Sequence, residues 1–106
     1  MADIMGLMKQ AAQLKSKMDE LQAELDTIVV EGTSGGGMVT VRLTAKGALK
    51  GTRIDDSLLK PDEKDMLEDL LIAAHADARR KADELVQEKM KNLTGGLPLP
   101  PGLKLF

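Results

Sequence analysis

The apolar positions of the first thirty residues recur with a single spacing. Ile4, Leu7, Ala11, Leu14, Met18, Leu21, Leu25 and Ile28 are separated alternately by three and four residues. This is the heptad repeat of a helix whose seam meets another helix. A helix is predicted over residues 4–28, and its period of 3.5 asks for a partner in a left-handed supercoil. With Leu7 and Leu14 at d positions, Lys15 and Lys17 flank the seam. Lys9, Gln13, Ser16 and Glu20 face away from it.

The pattern changes at Val29, and strands are predicted within residues 29–55. Residues 32–37, from Gly32 to Gly37, read as a loop. Residues 38–44 then alternate with period two, placing Val39, Val41 and Leu43 on one face and Thr40, Arg42 and Thr44 on the other. Ala45-Lys46-Gly47 reads as a turn and residues 48–54 as a further strand. Leu49 and Ile54 have opposite parity, so one of them faces away from the core or a bulge intervenes. The expected unit is an antiparallel meander of three strands, too small to be stable without cover. Pro61, followed by Asp62, Glu63 and Asp65, is a helix start, and Gly95-Gly96 is a stop. The helix predicted over residues 61–93 is apolar on two faces from Met66 to Ala74. Beyond that it carries one stripe of Ala78, Ala82, Leu85, Val86, Met90 and Leu93.

Length then decides the shape. A helix of about 50 Å does not fit inside a compact 100-residue globule about 35 Å across. Its distal half projects, and the first helix is its natural companion. The expected architecture is α+β, a small antiparallel sheet with two long helices extending from it as an antiparallel arm. In that hairpin the N-terminal half of the first helix lies beside the C-terminal half of the last. The apolar girdle and the sheet still lack cover, which points to a homodimer. Val39, Val41, Leu43, Met66, Leu67, Leu70 and Leu71 are the candidate dimer interface. The tail, residues 97–106, has three prolines in four residues and favours polyproline II. Its alternating apolar residues can dock on a surface or stay loose.

Composition narrows the chemistry. The 106 residues include one Phe, no Trp, Tyr or Cys, and one His. That weakens any reading that needs aromatic stacking platforms, and it excludes disulfides, thiolate nucleophiles and cysteine zinc sites. No apolar run approaches a membrane span and no secretory signal is evident, so a cytoplasmic location is expected, with no membrane partner. Gly32 and Gly37 have the spacing of a phosphate loop, but Met38 and Val39 stand where Lys and Ser/Thr are needed. His75 reads as a surface or interface histidine. The acidic cluster Asp62, Glu63, Asp65, Glu68 and Asp69 reads as helix-start chemistry, and Asp55-Asp56 as a strand exit. No cofactor, metal site, small-molecule substrate or catalytic set emerges.

The net charge of −2 argues mildly against a polyanionic partner, but the charge is zoned. Two basic clusters compete as a contact surface for phosphate. One is helical: Lys9, Lys15, Lys17, Arg79, Arg80, Lys81, Lys89 and Lys91. The other lies on the strands: Arg42, Lys46, Lys50 and Arg53. The expected hairpin gathers the helical lysines toward the arm tip and the acids of residues 19–31 and 56–70 at the sheet end, so the helical cluster is favoured.

Longer motifs carry a resemblance. Leu7-Met8-Lys9-Gln10-Ala11, Gly35-Gly36-Gly37-Met38-Val39, Ile54-Asp55-Asp56-Ser57-Leu58-Leu59, residues 64–70, Glu88-Lys89-Met90 and residues 99–104 resemble the YbaB/EbfC family of bacterial nucleoid-associated proteins. The resemblance runs over nearly the whole chain, so residues 1–106 are expected to form one domain. It implies an α-β-β-β-α protomer, a tweezer-like homodimer, non-catalytic binding of double-stranded DNA, and a place in the nucleoid with a role in chromosome organisation or regulation. The alternative function is a protein-interaction module whose helical arms clasp another protein, with DNA binding incidental.

Overall fold

In a computed structural model that describes residues 4–93, the chain runs α1 (Ile4–Thr27), β1 (Val29–Ser34), β2 (Val39–Thr44), β3 (Leu49–Ile54) and α2 (Lys64–Leu93). The three strands form an antiparallel sheet in the order β1-β2-β3. The proline tail, residues 97–106, lies outside the described residues.

Residues 32–34, expected in a loop, are instead the second half of β1. Gly32, Thr33 and Ser34 pair with Val41, Thr40 and Val39. The loop is only Gly35–Gly37, a tight turn with φ of 60°, 67° and 97° that suits glycine. Gly32 belongs in the strand because α2 presses on it. A Cβ there would lie 2.2 Å from both the Ala74 carbonyl oxygen and the Ala78 amide nitrogen. Helix and strand backbones meet where both sequences are small.

α2 packs beneath β1 and β2. Val39, Val41 and Leu43 are fully buried there with Leu58, Ala74 and Ala78, and Leu67, Leu70 and Leu71 pack against them half-buried. Three of the residues expected at a dimer interface lie in this core. Val39, Val41 and Leu43 point into the protomer's own core, because α2 covers the face that alternation marked as apolar. Of the girdle, Met66 and Ile72 remain exposed, at 51% and 69%. β3 lies beyond the cover of α2 and has no buried residue. The parity conflict is resolved by a bulge between Arg42 and Leu43, with Leu49 turned to solvent.

Between β3 and α2, Asp55 caps a short 3₁₀ turn over Asp56–Leu58, accepting from the Ser57 amide at 2.9 Å. The turn drives Leu58 into the core. A second 3₁₀ turn, Pro61–Glu63, runs directly into α2 with Pro in its first turn.

The arm differs from the expected hairpin. α1 and α2 are antiparallel and meet over a second cluster: Leu21, Leu25, Ala45 and Met90, with Met18, Ile28, Leu85, Val86 and Leu93 around them. Only the C-terminal half of α1 is accompanied. Residues 4–17 are exposed apart from Gly6. Thus the N-terminal half of α1 does not lie beside α2, because α2 reaches only as far as Met18. The dimensions agree. The molecule measures 74 × 25 × 16 Å with a radius of gyration of 19.4 Å, against about 13 Å for a compact chain of this length. About 45 Å of α2 and about 20 Å of unaccompanied α1 account for most of the long axis.

Candidate nucleic-acid interface

Phosphate recognition needs cations that are exposed and not already neutralised. The basic residues divide on that criterion.

Those on α2 are largely engaged. Arg80 donates to Asp77 at 2.8 Å and to Glu84 at 3.0 Å. Lys81 pairs with Asp77 at 3.2 Å and donates to the Glu31 carbonyl at 3.0 Å. Arg79 pairs with Asp83 at 3.6 Å, and Lys89 reaches across to Glu24 on α1 at 2.7 Å. Lys91 is exposed in the last turn of α2.

Asp77 organises this group. It accepts from the Thr33 amide at 3.0 Å, on the free edge of β1. That amide, with Arg80 and Lys81 beside it, holds the Asp77 carboxyl down at a pKa of about 2. Arg80 is correspondingly raised by Asp77 and Glu84. The β1 edge is therefore closed by α2 side chains. Asp77 takes the Thr33 N–H and Lys81 the Glu31 carbonyl, while the Ser34 hydroxyl donates to the Leu70 carbonyl at 2.6 Å. An unpaired strand edge is a liability, and the Asp77 and Lys81 contacts cover two of its backbone groups. Sequence spacing contained a signal for Asp77, since Arg80 and Lys81 follow it at i+3 and i+4. Its bond to a strand 44 residues earlier had none.

On the sheet, Arg42 sits 3.8 Å from Glu31 and Lys46 pairs with Asp26 at 3.3 Å. Lys50 and Arg53 are exposed and carry no ion pair among the described residues. Arg53 shares a shallow hollow with Asp55 and Asp56, so its local field is mixed.

Lys60 and Lys64 are also exposed and carry no ion pair among the described residues, but they stand in sequence among Asp62, Glu63, Asp65 and Glu68. The three on the first half of α1 form a distinct set. Lys9, Lys15 and Lys17 all lie on the unaccompanied half of α1, all are exposed, and none has an ion pair among the described residues. There is no acid between Ile4 and Met18. The structure does not bring these lysines beside Lys89 and Lys91, as the expected hairpin would have done. It sets them apart on an arm of their own. A cleft of about 520 Å³ between α1, the β2–β3 turn and α2 is lined in part by Lys46, Arg79, Asp83 and Gln22. Its cations are paired with Asp26 and Asp83. His75 is exposed, and among the described residues no group of three or more acids or histidines is placed to hold a metal ion. No helix among the described residues is long and apolar enough to cross a membrane.

A small meander carrying two long helices, one of which projects with three exposed lysines that have no ion pair among the described residues, defines a helical-arm protein. The chain belongs to the YbaB/EbfC DNA-binding family, which it matches over residues 1–97. It is 68% identical over 105 residues to a nucleoid-associated protein of Rhodopseudomonas palustris strain BisB5, covering 99% of each chain. It is 65% identical over 103 residues to one of Nitrobacter winogradskyi, covering 97% of each. The crystal structure of an uncharacterized protein from Helicobacter pylori has the same fold, with a TM-score of 0.78 at 27% identity, over 90% of this chain and all of that one.

Proposed function

We infer that this chain is a non-catalytic nucleoid protein that binds double-stranded DNA as a homodimer, holding phosphates through Lys9, Lys15 and Lys17 on the projecting half of α1. The observation that carries this reading is the contrast among the helical cations. Arg79, Arg80, Lys81 and Lys89 would each have to give up a carboxylate before meeting a phosphate, and the three α1 lysines would not. Nucleoid association of the relatives supports a place on the bacterial chromosome. Phosphate contacts of this kind position a protein without reading bases, which fits a role in organisation or regulation.

The dimer reading rests on Met66 and Ile72, exposed beside the half-buried Leu67, Leu70 and Leu71, and on β3, which α2 leaves open. A twofold axis through this end sets two α1 arms apart and doubles the number of phosphates the assembly can meet. Titration of a duplex of arbitrary sequence against salt tests the function. Binding that weakens steeply between 50 and 200 mM salt, on the order of 0.9 log units per phosphate neutralised and per tenfold salt, is expected. No binding even in low salt would replace this reading with the alternative, a module whose arms clasp another protein. The exposed apolar positions on α1 are the feature that favours that alternative.

A further inference from the structure

The projecting half of α1 exposes more than lysines. Ile4 is 66% exposed, Met5 81%, Leu7 61%, Met8 67% and Leu14 50%, which is half of the large exposed apolar side chains among the described residues. All five fall within residues 4–14 of one helix. A contiguous apolar strip of this kind on a soluble chain marks an interaction surface. The geometry points to its occupant: the chain's own C-terminal segment, Leu97–Phe106, folded back along α1.

Three observations converge on that segment. The first is where α2 ends. Leu93 packs in the same cluster as Met18, the last accompanied residue of α1. Since the helices are antiparallel, the chain leaves α2 where the uncovered strip begins, and it is heading along the strip. The second is length. Ten residues of polyproline II reach about 31 Å, against about 20 Å for residues 4–17 as a helix. The third is chemistry. The segment carries Leu97, Leu99, Leu103, Leu105 and Phe106 with one charged side chain, Lys104. Pro98, Pro100 and Pro101 restrict it before it docks, which lowers the entropic cost of ordering it. Met5 and Met8 are unbranched and adapt to an irregular partner.

A second copy of the strip is the competing occupant, and charge disfavours it. Residues 4–17 hold three lysines and no acid, so two such stretches laid together repel. With the tail in place the seam has a partner along its full length, α2 from Met18 onward and the tail before it. Lys9, on the opposite face, stays free. This inference does not depend on DNA binding, and its test contains no DNA.

The chain has no cysteine, so Lys104→Cys places a single nitroxide on the tail of the otherwise intact protein. Isotope-labelled, spin-labelled chain is diluted tenfold into unlabelled wild type. Methyl signals of Ile4, Leu7 and Leu14 are expected to broaden, and those of Val39 and Leu43 in the core are not. Broadening that appears only when isotope and nitroxide are on different chains would assign the strip to a second copy and overturn the proposal, as would no broadening at all. A second measurement uses Leu99→Asp/Leu103→Asp. Amide exchange over residues 4–14 should accelerate about tenfold or more, with α2 amides between Ala74 and Ala82 unchanged. Unchanged exchange in α1 would also overturn it.

Discussion

Gly32 and Asp77 show how single residues join α2 to the sheet. A methyl group at position 32 would overlap the backbone of α2 at Ala74 and Ala78, and backbone cannot swing aside as a long side chain does. Gly32→Ala is therefore expected to cost more than about 2 kcal/mol, at the upper end of overpacking effects. Urea unfolding checks this, with Gly51→Ala, which meets nothing within 4 Å and, like Gly32, has no positive φ, as the comparison for the glycine-to-alanine change in a strand. Asp77 makes a prediction in pH. Its carboxyl is depressed from 3.8 to about 2 in the folded chain. The stability it contributes is thus fully present above its unfolded value and is lost as pH falls through about 2. Asp77→Asn should melt below the wild type at neutral pH, and the two curves should converge as pH falls from about 4 to about 2. A gap independent of pH would mean that the carboxylate charge contributes nothing at the β1 edge.

Among the elements, α1 is divided by its surroundings rather than by its sequence. Leu25 is fully buried and Leu14 is half-exposed, although both sit on the same heptad seam. Leu25→Ala should cost on the order of 2–4 kcal/mol, Leu14→Ala clearly less, and Gln13→Ala almost nothing. Equal losses at positions 14 and 25 in the Leu99→Asp/Leu103→Asp background, where no tail covers Leu14, would contradict the observed end of the α1–α2 packing. The periodicities of both helices and of β2 are legible because one buried face imposes a regular pattern on its residues. The reach of the packing is not, because 3.5-residue spacing says that a partner exists without saying how far it extends. The first half of β1 is legible from Val29-Val30. Its second half is not, because Gly32-Thr33-Ser34 have loop propensities and are held in the strand by their ladder with β2 and by the pressure of α2. Val39, Val41 and Leu43 are identifiable as buried, but alternation reveals an apolar face and leaves open whether the protomer or a partner covers it. Here α2 of the same chain does. The basic residues are all identifiable by composition. Which of them are already neutralised depends on partners up to 65 residues away, as with Lys89 and Glu24.

The whole molecule is a rod with its charge sorted along it. Acids crowd the start of α2, where Asp62, Glu63, Asp65, Glu68 and Asp69 surround Lys64, while Lys9, Lys15 and Lys17 lie on a stretch of α1 that holds no acid. Net charge of −2 conceals this, and local potential rather than net charge sets where phosphate can approach. The proposed dimer is testable at the same scale. Met66→Asp/Ile72→Asp changes two side chains that the protomer leaves exposed, so the fold should survive by circular dichroism. Sedimentation equilibrium at micromolar concentration should then fall from two chains to one. A wild type that is already a single chain would remove the dimer from the account. The central claim, that the unaccompanied half of α1 holds the phosphates, is tested most directly by the slope of log K for duplex DNA against log salt in two double variants. Lys9→Ala/Lys17→Ala should make the slope shallower by about 0.9 for each phosphate that the arm no longer neutralises, and Lys50→Ala/Arg53→Ala should leave it unchanged. A slope that becomes shallower only in the Lys50→Ala/Arg53→Ala variant would contradict the account and move the DNA to the open edge of the sheet.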